Sequence, residues 1–339
     1  MKKLLFSVLL FSGFVQAQEQ KEYVPTNMPS FSWLEQSYLT TRVDFLYWNA
    51  YESGLDFVYT DAFNSGNFFG GQGDIERTTF DWHMGFRVGL GYNFQPDYWR
   101  IELDYNNFNP NGYKNQSTLN NQVLAGTFPE YTITNLAKAF SHISLRTHIG
   151  DLYLSKAFQI SRNINLSFLS GIRGIWFKQN WEVTYEGQQP GGYREVIKPK
   201  WRFKGFGLRA GMNVDWQCGK GINWTAMTAL AAIYGNYDNR MRLYREDFVT
   251  LDRLTFQNTH YDDFRIVENV QLAMGPSYEK AFKHWGLKAA ALYEMNLFFN
   301  VHQVDRDEFY NTVNHNAQTR TVNAMLQMHG VTVQLQASF

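Results

Sequence analysis

The 339-residue chain has a single cysteine, Cys218, so no disulfide can form within it. A bridge to a second chain stays open, and a spare, poorly reactive thiol is the simpler expectation. The chain has no surplus of charge, since 31 Lys and Arg stand against 31 Asp and Glu. Without a basic excess nothing attracts nucleic acid. Beyond the N-terminus no apolar run reaches eighteen residues, which rules out a helical membrane protein. The longest candidate, Ala226 to Tyr234, is broken by Thr228. Gly-x-Ser-x-Gly, His-Glu-x-x-His and phosphate-binding glycine loops are all missing. His142 and His148 share a face but lie six residues apart on an expected strand, about 20 Å at strand rise, too far to share an ion. Neither a metal nor a cofactor is expected.

What is present is aromatic: 28 Phe, 20 Tyr and 10 Trp. Mean hydropathy is nevertheless −0.40. That combination suits a barrel wall, apolar toward lipid, polar toward the lumen and aromatic at both interfaces. The N-terminus fits such a compartment. Met1-Lys2-Lys3 is basic, Leu4 to Val15 is mostly apolar, and Val15-Gln16-Ala17 has the form of a signal cleavage site. Residues 1–17 read as a cleaved secretory signal, 18–37 as a periplasmic segment and 38–339 as the barrel. No cysteine follows the cleavage site, so a lipoprotein is not expected.

Period-2 alternation recurs along the chain. It is cleanest at 80–94, where Phe80, Trp82, Met84, Phe86, Val88, Leu90, Tyr92 and Phe94 oppose Asp81, His83, Arg87 and four small or polar residues. A helix would mix these two sets, whereas a strand separates them. The same pattern marks 98–108, 141–149, 164–176, 205–216, 222–234 and 285–299. In 141–149, Ile143, Leu145 and Ile149 oppose His142, Arg146 and His148; after Gly150 the phase changes, as a β-bulge would cause. Two segments are less clean. Leu46 and Trp48 interrupt the polar face of 39–51, and Glu268 sits on the apolar face of 264–276, near a membrane edge or after a bulge. The last segment, 323–339, ends on Val331, Val333, Leu335, Ala337 and Phe339, all of one parity. This strand is expected to pair with the strand carrying Val43, Phe45 and Tyr47, and its terminal aromatic to serve recognition by the barrel-assembly machinery.

These segments make about ten strands. Short connections near 95–97, 157–163, 217–221 and 279–283 interleave with long ones near 52–79, 109–138, 186–197, 239–259 and 301–321. An all-β, antiparallel, up-and-down transmembrane barrel has this layout, with short periplasmic turns and long external loops, in the bacterial outer membrane. A range of 8–14 strands brackets the count. Trp99, Trp216, Trp224 and Trp285 fall beside the short turns, and Trp48, Trp82 and Trp176 toward the outer interface.

Lumen parity collects Arg42, Asp44, Arg87, Arg100, Glu102, Asp104, Arg146, Arg173, Arg209, Asp215, Lys288 and Glu294. Charges in such number need partners or water. A polar channel would use them for selectivity; a narrow barrel would zip them into a closed network. Seven cations against five carboxylates in this set would give a channel a weak preference for anions.

Arg42-Val-Asp-Phe-Leu-Tyr-Trp-Asn-Ala-Tyr-Glu-Ser-Gly-Leu-Asp-Phe-Val58 resembles the first strand of the major-outer-membrane-protein-like porins of chlamydia-related bacteria and the Legionella-type pore-forming proteins. Gly150-Asp151-Leu152-Tyr153-Leu154 is similar to a second element of that family. The resemblance implies a porin passing small polar solutes or ions. The chlamydial proteins are cysteine-rich and cross-linked, so a disulfide-linked network is not implied for a chain with only Cys218. Expected partners are outer-membrane lipid, the assembly machinery, small solutes and a second copy in a homo-oligomer. The alternatives are a closed structural or adhesin barrel, and a surface protease using Asp81-Trp82-His83 with Asp305-x-Asp307.

Overall fold

The computed structural model describes residues 38–61, 73–94, 99–117, 123–128, 136–187, 193–247, 252–282, 285–311 and 316–339. Only the backbone is described for Asp61, Gly73, Val123, Tyr193, Phe256 and residues 304–311 and 316–322. The expected signal and periplasmic segments lie outside the described residues. In chain order the strands are β1 (Tyr38–Glu52), β2 (Asp56–Asp61), β3 (Gly73–Arg77), β4 (His83–Phe94), β5 (Trp99–Phe108), β6 (Asn111–Ser117), β7 (Val123–Gly126), β8 (Leu136–Ser161), β9 (Ile164–Gly187), β10 (Tyr193–Gly219), β11 (Ile222–Asp247), β12 (Arg253–Ala281), β13 (Gly286–Asn311) and β14 (Asn316–Ser338).

Ten of them form a closed antiparallel ring, β1-β4-β5-β8-β9-β10-β11-β12-β13-β14 and back to β1. Closure removes every edge within the ring, which is what a bilayer demands of a sheet. The short β2, β3, β6 and β7 belong to the first two outer connections. The seam pairs the expected residues: Val43 faces Leu335, Phe45 faces Val333 and Tyr47 faces Val331. Beyond it, Leu39 and Phe339 exchange backbone hydrogen bonds of 3.1 and 2.8 Å. The β10–β11 turn is tight because Gly219, Lys220 and Gly221 all take positive φ, at 105°, 54° and 79°.

The lipid face is a band of outward apolar side chains. On β10 it runs from Phe206 to Trp216 through Leu208, Met212 and Val214. Ten steps of about 3.3 Å tilted by roughly 40° span about 25 Å, the apolar height of an outer-membrane barrel. Trp99, Trp216, Trp224 and Trp285 are exposed at its short-turn end, as expected, and Trp82 and Trp176 are exposed at the other end. Glu268 points outward opposite Phe299, one row below the Tyr234–Ile266 pair, so it lies near the outer edge, and the β11–β12 register runs through it without a bulge.

Above that edge the alternation inverts, and in β8 it does so without any break in the strand. β8 keeps register with β9 from Lys138 to Gln159, so the bulge expected after Gly150 is not there. Odd residues face inward throughout. Asp151, Tyr153 and Ser155 fill the lumen below, and Ser141, Ile143, Leu145, Thr147 and Ile149 fill it above. His142, Arg146 and His148 therefore lie on the outer wall, which corrects the lumen assignment of Arg146. The physical reason is a change of solvent, not of phase. Below the edge lipid surrounds the wall and polar groups turn inward; above it water surrounds the wall and apolar groups turn inward.

The same inversion corrects β1. Leu46, Trp48 and Ala50 do not interrupt a polar face; they belong to a buried core inside the upper barrel, and Trp48 is not a girdle residue. It also explains the connections. Residues expected as long loops near 186–197, 239–259 and 301–321 are largely strand, because β9 to β14 continue far above the bilayer. An outward arginine at mid-height tests the inside–outside assignment. Ala210 is exposed between Leu208 and Met212, so Ala210→Arg should cost about 2–4 kcal/mol of unfolding free energy in lipid. Urea titration in liposomes measures it, and no loss would mean that position 210 does not face lipid.

Candidate functional site

Inside the membrane-spanning part, inward side chains from opposite walls meet. Arg87 on β4 reaches Glu294 on β13, with Nη2 to Oε1 at 2.7 Å and Nη1 to Oε2 at 3.2 Å. Arg87 Nη1 also donates to Asp44 on β1 at 3.2 Å. Arg42 pairs with Glu102 at 2.8 Å and with Asp104 on β5, and Arg100 closes on Glu102 at 2.6 Å. Across the bore, Asp151 on β8 receives Arg173 and Arg209, both at 2.7 Å.

Two polar side chains join these clusters. Gln271 on β12 accepts from Arg173 at 2.8 Å and from Arg209 at 2.7 Å through Oε1, and donates to Glu294 at 2.7 Å through Nε2. Tyr153 donates to Asp104 at 3.1 Å. Glu294 takes further donations from Asn296 and Thr332, both at 3.1 Å. The chain of contacts thus crosses from β1 and β4 to β13, through β12 to β9 and β10, and back to β5 by way of Tyr153. Small inward residues make room for these long side chains. A Cβ on Gly89 would run into Asp104 Oδ1 and stand 3.4 Å from Arg42 Nε, so glycine there leaves room for the Arg42–Asp104 pair.

Nearer the short turns, Lys288 Nζ meets Asp215 Oδ1 at 2.9 Å, apart from the main network. Of the expected lumen charges, Arg42, Asp44, Arg87, Arg100, Glu102, Asp104, Arg173, Arg209 and Glu294 join one network, Asp215 and Lys288 form their own pair, and Arg146 lies outside. Asp151 was missed, although its parity opposite Leu152 and Leu154 marked it. With Arg146 removed and Asp151 added, the two groups hold six cations and six carboxylates. The charge excess behind an anion preference is gone.

Above this layer the interior is apolar. Trp48 is fully buried, lies edge-on to Phe108 at 5.6 Å, donates from Nε1 to Thr332 at 3.1 Å and carries Arg87 over its ring at 5.7 Å. Phe177 on β9 and Phe298 on β13 meet edge-on across the bore at 5.0 Å. One polar pair is sealed within this core. His302 on β13 bonds Glu52 on β1, Gln179 on β9 donates to Glu52 at 3.2 Å, and Trp201 stacks on the imidazole at 5.0 Å.

His83 and Asp81 stand at the outer end of β4. The His83 ring nitrogen lies 3.1 Å from the backbone oxygen of Asp81, not from the carboxylate. The side chains of Asp305 and Asp307 lie outside the described residues. Among the described residues no cluster of three His, Cys, Asp or Glu is placed to hold a metal ion.

A closed ring of ten tilted strands with a lipid-facing belt defines a transmembrane β-barrel of the bacterial outer membrane. Within that class, the chain belongs to the Legionella pneumophila major outer membrane protein family, whose model matches residues 34–339. No curated protein matches it. Among solved structures it is similar to the outer membrane protease OmpT of Escherichia coli, at 10% identity and a TM-score of 0.43, covering 89% of this chain and 97% of that one. It is also similar to the Pseudomonas putida toluene transporter TodX, at 9% identity and a TM-score of 0.31, over 90% and 89% of the two chains. A Pseudomonas aeruginosa FadL homologue matches at 7% identity and a TM-score of 0.25, over 90% of each chain.

Proposed function

We propose that this protein is a closed-lumen surface barrel, anchored in the outer membrane and acting through its exposed upper wall and outer connections. One observation carries this reading: the ionic network that ties β4 to β13 and β9 to β12 across the bore. Wide aqueous channels belong to barrels of sixteen strands or more, whereas small barrels are filled by side chains. The apolar layer above the network adds a second seal. This reading assigns no enzymatic step to the chain, and His83→Ala should leave any surface proteolysis unchanged.

A gated passage for water and small ions is the second reading, and it keeps the porin role that the family resemblance suggested. It is favoured by buried polar atoms of the network layer without a protein partner: Asp44 Oδ1, Asp104 Oδ1, Asn106 Oδ1 and Arg209 Nε. Such atoms are ordinarily hydrated. Planar-bilayer recording of the refolded protein separates the two. The closed reading expects no steady conductance from the wild type and none from Arg87→Ala. Conductance appearing only when Arg87 is removed supports the gated passage. Steady, wide conductance of the wild type overturns the closed barrel.

A further inference from the structure

The outer wall just above the lipid band is basic, although the chain as a whole is neutral. β10 presents Lys198, Lys200, Arg202 and Lys204 in succession outward, directly above the lipid-facing Phe206. The register sets further cations beside them. Arg202 faces Lys178 on β9, which in turn faces Arg146 on β8. Lys200 faces Arg240 and Lys198 faces Arg242, both on β11. Like charges directly opposite on neighbouring strands destabilise a sheet. Four such contacts in one patch are a standing cost with no structural return.

Local carboxylates do not cancel the patch. Glu182 takes Lys198 at 3.0 Å, and Asp238, which stands opposite Arg202 on β11, turns its carboxylate to Arg240 at 3.0 Å. Among the described residues Arg146, Lys178, Lys200, Arg202, Lys204 and Arg242 form no ion pair, and Arg202 Nε is buried without an acceptor. The Lys200 ammonium is held below the usual lysine range, first by burial and then by Arg202, Lys178 and Arg240. A groove of about 710 Å³ crosses this wall from β8 to β12. His142, Lys198, Lys200, Arg240, Arg242 and His260 line it, with Glu182 as the one acid. The groove lies higher than the row of cations over the lipid edge and shares only Lys200 with Lys178, Lys200, Arg202 and Lys204.

Height decides what the lowest of these cations face. Lys204 is opposite Trp176, the exposed aromatic at the outer edge of the lipid band. Below the cations, Phe206 and Leu208 are 76% and 74% exposed, so an acyl chain can lie against them. A ligand spanning both zones is apolar below and multiply anionic above. Arginine and lysine recognise phosphate by charge-assisted hydrogen bonds.

We propose that this wall binds the phosphorylated headgroup of an outer-leaflet glycolipid, with its phosphates among Lys178, Lys200, Arg202 and Lys204 and its acyl chains on Phe206 and Leu208. The site is independent of whether the lumen is open, so bilayer conductance does not bear on it.

The test uses the folded protein in uncharged detergent. Native mass spectrometry compares bisphosphorylated lipid A, chemically dephosphorylated lipid A and inorganic phosphate. The proposal expects the bisphosphorylated lipid to bind at least tenfold more tightly than the dephosphorylated one. Replacing Lys178, Lys200, Arg202 and Lys204 together with Gln should remove that preference, while Lys156→Gln near the short turns leaves it intact. Because these side chains are outside the core, heat-resistant migration in detergent gels should survive and certify the fold. A loss of fold in the fourfold variant is met by Lys200→Gln alone, which should weaken the phosphorylated lipid at least threefold. Equal binding of the two lipids, an unaffected fourfold variant, or inorganic phosphate occupying the site as well as the lipid would overturn the proposal.

Discussion

Glu294→Ala should lower the unfolding free energy by about 3–5 kcal/mol, the scale for breaking a buried ion pair from one side. Glu294 is fully enclosed and accepts from Arg87, Gln271, Asn296 and Thr332. Truncation leaves the Arg87 guanidinium beside Asp44 alone, which already shares its carboxylate with Arg42. The loss therefore comes from a stranded cation more than from missing bonds. Adding Arg87→Ala should recover part of it, because the double variant strands no charge. Urea titration of the folded barrel, followed by tryptophan emission, measures all three variants. Strict additivity of the two substitutions, or a loss under about 1 kcal/mol for Glu294→Ala, would mean that the two side chains do not act as a buried pair.

Trp48→Ala should cost as much, about 3–5 kcal/mol, on the scale of large-to-small core changes. The indole is enclosed by Phe108, Thr332 and Arg87 inside the barrel, and its removal empties the junction between the ionic and apolar layers. Trp176→Ala is the contrast. That side chain is 47% exposed at the outer edge of the lipid band, so its loss gives up only half-buried surface and should cost well under half as much. The pair of values distinguishes an interior tryptophan from a girdle one. Equal costs for the two would return Trp48 to the membrane interface, where the aromatic strand pattern alone had put it.

Much of the barrel was legible in the chain. Alternation over 82–94, 205–216 and 285–299 marked lipid-facing strands because a bilayer imposes one rule on the whole outer wall; Phe80, expected on the same face, is buried in the core instead. The seam of β1 against β14 followed from counting strands and from the shared parity of Phe45 and Val333. The errors came where the surroundings change along one strand. In 141–149 the apolar parity is the inward one, because this stretch stands in water, and the change at Gly150 imitates a bulge. Leu46 and Trp48 looked like flaws in a polar face for the same reason. Alternation reports which face is apolar; it does not report whether lipid or a core lies against that face.

The candidate site divides in the same way. Lumen parity picked out Arg42, Asp44, Arg87, Glu102, Asp104, Arg173, Arg209 and Glu294 from spacing alone. Their pairings were not legible, since Arg87 and Glu294 lie 207 residues apart and Arg173 and Gln271 lie 98 apart. The basic outer wall was equally hidden. Arg146, Lys178 and Arg202 sit on three strands, and only the register lines them up over the lipid edge.

The sequence by itself determined the class, the ten staves and the polar character of the membrane-spanning bore, because each depends on local periodicity against a uniform solvent. Tertiary structure alone decided how high the strands rise, where inside and outside exchange character, and that the charges of the bore meet across it in balance. Those outcomes depend on strand stagger and on contacts between residues far apart in the chain, and no local pattern carries either.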